Sequence, residues 1–322
     1  MISEKDGIHI DLDKKIVADS RNTSGDINFV SHAHFDHLHT NSSSKVVCSD
    51  LTAMLAEART GKSIEHVSKT DRISLIDSGH IVGSSAALIN NDGEKILYTG
   101  DFSTRDRTYM NGFEPVDADV LILESTYGIP AYTFPDQRQL EKQIVDWIQD
   151  NPDPLFLFGY SLGKAQKIQY LVKKATDRPL MAHGAVKKMN EAVESSKELD
   201  FNAKPYGKNK DLMEDNGVFI GPPNFSKTDA LNNLVDKVGG VKAGFSGWAT
   251  DGSYQYRGGY DETFAFSDHA DFNELVKTVK QVDPEKVYTT HGFDEELASY
   301  LKRELGYNAR ALKKNQSSLT DF

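Results

Sequence analysis

The stretch VSHAHFDHLHT, residues 30–40, follows the apolar-leaning run INFV (27–30) with four histidines and an aspartate inside eight positions. A strand end this polar is not ordinary core. Polar ligands bunched at strand ends are what a metal site needs, because strands fix the geometry and the adjoining loops leave it open. His32 and His34 are two apart and project from one side of an extended chain. Asp36 and His37 follow as the chain turns and can face a second point a few residues on. A lone histidine is ordinarily a surface or satisfied core residue, but four at this spacing point to ligation.

Composition narrows what such ligands can hold. The 322 residues include one cysteine, Cys48, which excludes an internal disulfide and any cysteine-based zinc knuckle. A metal must therefore sit on histidine and carboxylate. The start, MISEKDGIHIDLDKK, lacks the apolar core of a signal peptide, and no apolar run approaches the length of a membrane span. The expectation is a cytoplasmic protein with no membrane partner. A formal net charge of −11 argues against a polyanion partner if taken as a whole, yet residues 154–210 carry 11 basic and 5 acidic side chains. That segment offers either solvated helix faces or one basic wall facing a substrate.

The first third reads as short strands broken by turns. AALINNDGEKILYTGD (86–101) is a hairpin around Asn91-Asp92-Gly93. SDLTAMLAEART (49–60) is a helix capped by Ser49 or Asp50, and ADVLILEST (118–126) is a strand buried on both faces. Helix and strand then alternate, as in a parallel βαβ unit, from QLEKQIVDWIQD (139–150) to VKAGFSG (241–247). From residue 262 the chain returns to strand, histidine-bearing turn and helix. The simplest organisation is a first domain, residues 1–125 and 259–311, split by an insertion at 126–258 and followed by a tail at 312–322.

His32-Ala-His34-Phe-Asp36-His37 resembles the H-x-H-x-D-H signature of the metallo-β-lactamase superfamily. The pattern calls for further residues, and each is present: Asp19 in KIVADS, His80 in DSGHIVGSSA, Asp101 in ILYTGDFSTRD and His291 in YTTHGF. The resemblance implies an αββα sandwich and two metals, zinc foremost, with manganese or iron compatible with the same donors. By position His32, His34 and His80 would hold one ion, Asp36, His37 and His291 the other, and Asp101 would bridge them. Two cations about 3.5–4 Å apart can hold a hydroxide and stabilise in-line displacement at phosphorus. Asp19 orients the ligand loop, and His39 fits no ligand position.

Glu124 in LILESTYG, His269 in FAFSDHAD and the α/β insertion resemble the β-CASP nuclease branch. By that resemblance His269 is the general acid that protonates the leaving oxygen, and Glu124 orients it. FLFGYSLGKAQKIQYL (156–171) and SGWATDGSYQYRGGYDETFAFSDHAD (246–271) are similar to the DNA-ligase-associated exonucleases and to the Artemis-like DNA-repair nucleases. This implies a DNA nuclease, an exonuclease, that processes ends in repair or replication, with DNA ligase as a partner. Ser161 and Lys164, at a turn opening a helix, and Ser267 would then grip a substrate phosphate.

The ending KKNQSSLTDF places Gln316, Leu319 and Phe322 in the spacing of a sliding-clamp-binding peptide. The rival readings are a β-CASP ribonuclease acting on transcripts, a metal-bearing module recruited to the clamp without turnover, and a small-ester hydrolase, which the insertion disfavours.

Overall fold

In the computed structural model, the described residues are 1–38, 45–196 and 199–312. They divide into two compact units. The first takes Met1–Arg105, Asn111–Thr133 and the chain from His269; the second takes Asp106–Met110 and Phe134–Asp268.

The first unit packs sheet on sheet. One sheet runs in chain order through Ile2–Lys5, Gly7–Asp11, Lys15–Ala18, Ile27–Phe29, Val46–Val47 and His66–Val67. The other has the order Ala309–Ala311, Lys286–Gly292, Val120–Ser125, Glu94–Tyr98, Ser85–Asn91, Ile73–Asp77. Its central strand, VLILES, is buried throughout, and its period-two alternation shows why. Val120 and Ile122 join Ile8, Ile16 and Phe29 of the facing sheet, with Ile96 and Tyr98 beside them. Leu121 and Leu123 point the opposite way, into the core shared with the helices Phe272–Val282 and Asp294–Glu304. Helix Asp50–Thr60 buries Ala53, Leu55 and Ala56, and its N-cap Ser49 accepts from the Thr52 N–H. This is the αββα layering of the metallo-β-lactamase fold. The hairpin turns at Asp92 (φ 49°) and Gly93 (φ 100°), the left-handed pair that a tight two-residue loop needs.

The second unit is a parallel sheet of order Lys204–Pro205, Leu180–Ala182, Val218–Gly221, Leu155–Phe158, Val241–Phe245, Glu262–Phe264. Leu155 and Leu157 face a core with helices Gln137–Asp150 and Lys164–Ala175, whereas Phe156 and Phe158 face Leu231 and Val235 of helix Asp229–Val238. Apolar side chains on both faces explain the continuous runs LFLF and VFIG.

The boundaries differ from those expected. Glu262–Phe264 pairs in parallel with Val241–Phe245, so the second unit runs to Asp268 and begins at Phe134 rather than spanning 126–258. A short early segment, Asp106–Met110, also belongs to it. Among the described residues no helix is long and apolar enough to cross a membrane. His39 and the tail residues Gln316, Leu319 and Phe322 lie outside the described residues.

Candidate active site

All residues of this site belong to the first unit. His32 Nε2 lies 3.0 Å from His34 Nδ1, which lies 3.2 Å from His80 Nε2. Asp101 Oδ2 is 3.5 Å from His32 Nε2, 3.6 Å from His80 Nε2 and 3.6 Å from His37 Nε2. Four donor atoms, one each from His32, His34, His80 and Asp101, thus converge closely enough to hold a metal ion. The nitrogen–nitrogen spacings are close to the edge of a tetrahedron with Zn–N bonds near 2.0–2.1 Å, about 3.3 Å. Asp36, His37 and His291 stand next to that group. Asp36 Oδ2 is 3.9 Å from His37 Nε2, and the rings of His37 and His291 lie 5.8 Å apart.

Local backbone chemistry aims these side chains. Asp19 sits at φ 50°, an uncommon conformation for a non-glycine residue, and its carboxylate accepts from four donors. These are the Ser31 N–H at 2.7 Å, the Ser31 hydroxyl at 2.6 Å, the Tyr98 hydroxyl at 2.8 Å and His37 Nδ1 at 2.9 Å. With its proton on Nδ1, His37 offers Nε2 to the site. Ser31 Oγ also meets His32 Nδ1 at 2.9 Å, which sets the same tautomer there. Asp19 therefore orients two candidate ligands, one directly and one through Ser31.

Gly100 (φ 53°) lets the Asp101 turn approach Ser31, because a Cβ there would meet the Ser31 Cβ at 2.6 Å. His291 owes its direction to a bulge. Thr290 pairs with Glu124 and Gly292 with Ser125, which leaves His291 as the extra residue at φ 59°. The Ser125 hydroxyl donates to the carbonyls of Thr290 and His291 and pins the bulge.

Electrostatics fit a site built for cations. Burial, followed by the charge of the neighbouring histidines, holds His32 well below its ordinary value. For His37 burial acts in the same direction, but the Asp101 and Asp19 carboxylates outweigh it and push the group up to about 10. Imidazole and carboxylate donors suit zinc, so the residues present fit the implied metal.

The second feature is the pair His269 and Glu124. His269 Nδ1 lies 3.0 Å from both Glu124 oxygens, and Glu124 is itself buried. The Phe102 N–H and the Thr126 hydroxyl also donate to Glu124, at 2.8 and 2.5 Å. Burial pushes the Glu124 carboxyl up, but the His269 charge and these hydrogen bonds outweigh it and hold it below the usual carboxylate value. The imidazole is thereby fixed through Nδ1. Its ring stands 4.6 Å from that of His80, and donor atoms of Asp101, Glu124 and His269 lie within 4.8 Å of one another.

The residues expected to grip a phosphate make contacts inside the second unit. In the second unit Lys164 is buried; its ammonium donates to the Phe266 carbonyl at 2.5 Å and lies 3.0 Å from Asp268. Ser267 is 1% exposed, and its carbonyl accepts from Arg107 at 2.8 Å. Lys164, through its ammonium, and Ser267, through its backbone carbonyl, thus take part in an internal network of the second unit. Ser161 is half-buried, and its carbonyl accepts from Gln166. Sequence spacing did not reveal Tyr98, Ser31, Thr126 or the Phe102 amide, because each meets its partner only through the fold.

A family model described as a Zn-dependent metallo-hydrolase RNA specificity domain matches residues 262–312. The chain is 36% identical over 301 residues to a probable DNA ligase of Opitutus terrae; the match covers 88% of this chain but only 28% of that one. It is 25% identical over 342 residues to an RNase J-like protein of Methanocaldococcus jannaschii, covering 82% of this chain and 80% of that one. A solved protein of unknown function from Enterococcus faecalis shares the fold with a TM-score of 0.58 at 15% identity, over 84% of this chain and 76% of its own. Together with the histidine cluster and the two-sheet sandwich, these likenesses support a metallo-hydrolase of the metallo-β-lactamase superfamily. Within it, the matches to the RNA specificity domain and to the RNase J-like protein support the β-CASP nuclease branch.

Proposed function

We propose that the protein is a metal-dependent phosphodiesterase that trims DNA ends. The observation that carries this reading is the His269–Glu124 pair beside the convergent donors of His32, His34, His80 and Asp101. Two cations, zinc foremost, would be held by those residues with Asp36, His37 and His291, Asp101 standing between the two groups. When bound they supply positive charge against the phosphate and a water activated at neutral pH. The chain's own residues do the rest. His269, its Nδ1–H directed to Glu124, carries a proton on Nε2 for the leaving oxygen. Glu124, buried and bonded by Phe102 and Thr126, holds that imidazole in place. Asp19 and Ser31 hold His37 and His32 in the tautomer that leaves Nε2 available.

DNA is favoured because the chain matches a segment within a protein named a probable DNA ligase at the higher identity. Trimming would then prepare ends for joining, with a ligase as partner. A ribonuclease is the second reading, supported by the RNase J-like relative, which this chain matches over most of its length, and by the RNA specificity domain. A competition between 5′-phosphorylated single-stranded DNA and RNA of the same sequence tests the choice. Faster DNA turnover is expected, and faster RNA turnover would transfer the assignment.

A further inference from the structure

We propose that Phe35 and Arg59 form a nucleotide-binding shelf beside the metal ligands, where one base of the substrate stacks on the open face of Phe35. This rests on the phosphodiesterase reading and names how that site takes its substrate. Phe35 lies between the candidate ligands His34 and Asp36, yet it is 60% exposed, the one phenylalanine among the exposed large hydrophobic residues described. A phenyl ring has no polar group to satisfy in water, so its display at the mouth of a charged cluster calls for an apolar partner.

Arg59, in the last turn of helix Asp50–Thr60, lays its guanidinium over the same ring, 4.3 Å from the centroid. This cation–π contact holds the phenyl ring in one orientation and leaves its other side to solvent. Two of the guanidinium nitrogens, Nε and Nη1, are buried and have no hydrogen-bond partner among the described residues. Desolvated donors of a cation are costly when unsatisfied. The acidic group whose charge acts on Arg59 is Asp36, a candidate metal ligand whose nearest ion-pair contact is with His37 at 3.9 Å. An anion delivered by the substrate would complete the set, and the planar fork of arginine matches the oxygens of a phosphate. An aromatic face, a guanidinium and a missing anion in one place are the complement of a nucleotide.

The test scans the base next to the cut. Metal-loaded protein is given 5′-phosphorylated oligodeoxynucleotides, each with one abasic residue at successive positions around the cleavage point. For the wild type, one position is expected to lower kcat/KM roughly 5- to 150-fold, the range of one base–aromatic stack. Phe35→Leu should lose the distinction between base and abasic residue at that position, through KM, and Phe35→Tyr should restore it. Arg59→Gln should raise KM and flatten its salt dependence. An abasic penalty that is equal in wild type and Phe35→Leu, or absent at every position, overturns the shelf while leaving the nuclease reading intact. No cleavage of any oligonucleotide by the wild type overturns the nuclease reading itself.

Discussion

Each unit buries a cluster of charged side chains, and the two clusters are built in opposite ways. In the first unit, His32, His34, His80 and Asp101 turn their donor atoms toward one common point. In the second, Arg107, Lys164 and Lys167 close around a single carboxylate, with Asp268 at 3.6, 3.0 and 2.7 Å from the three cations. Burial and the neighbouring cations Arg107 and Lys164 pull Lys167 down to about 7, against the pull of Asp268. The second cluster pairs its cations with an internal carboxylate and holds the Phe266–Asp268 strand exit in its own unit. The donor atoms of the first share one focus instead of facing an opposite charge of their own. A buried charged cluster is therefore a functional candidate when its groups share a focus, and a structural one when they face each other's opposite charge.

This contrast can be broken at several points. Removing metal with a chelator should bring nuclease activity to background, with restoration on adding zinc; activity that survives chelation would remove the meaning assigned to the first cluster. His269→Ala should lower kcat by about 10²–10⁴-fold, the usual worth of a positioned proton donor, while metal content by atomic absorption stays at the wild-type level. Asp268→Asn should leave metal content unchanged but destabilise the second unit by about 3–5 kcal/mol in urea, because three buried cations lose their counter-charge. Asp19→Asn should be the mildest, weakening metal affinity by about 10–100-fold in a competition titration with a chromogenic chelator.

The pH dependence follows from Asp268. Burial pushes its carboxyl up, but Lys164, Lys167 and Arg107 outweigh that and hold it far below the ordinary value. A group depressed on folding contributes stability above its unfolded pKa of about 4 and loses it as the pH falls further. Thermal melts below that pH should show a steeper decline in the wild type than in Asp268→Asn. Parallel declines would remove Asp268 as the acid-sensitive group.

Much of this could be read in the sequence, for a definite reason. The H-x-H-x-D-H spacing, the caps and the hairpin turn are local, and local spacing survives without coordinates. The alternation in VLILES likewise implied a strand buried on both faces. What escaped depends on distant partners. Lys164 opens a helix in a glycine turn, as an anion-binding lysine would, but Asp268, 104 positions later, takes its ammonium. Arg107 joins the second unit although the chain around it belongs to the first. Tyr98 reaches Asp19 across 79 residues. Phe35 sits inside the most legible motif of all, and only the coordinates show that it is exposed and covered on one face by Arg59.

The central claim is that His269 donates a proton to the leaving oxygen. The most direct test compares His269→Ala with wild type on DNA and on thymidine 5′-(p-nitrophenyl phosphate), whose nitrophenolate leaves without help from an acid. The account predicts a loss of about 10²–10⁴-fold on DNA and a far smaller loss on the nitrophenyl ester. An equal loss on both substrates would contradict it.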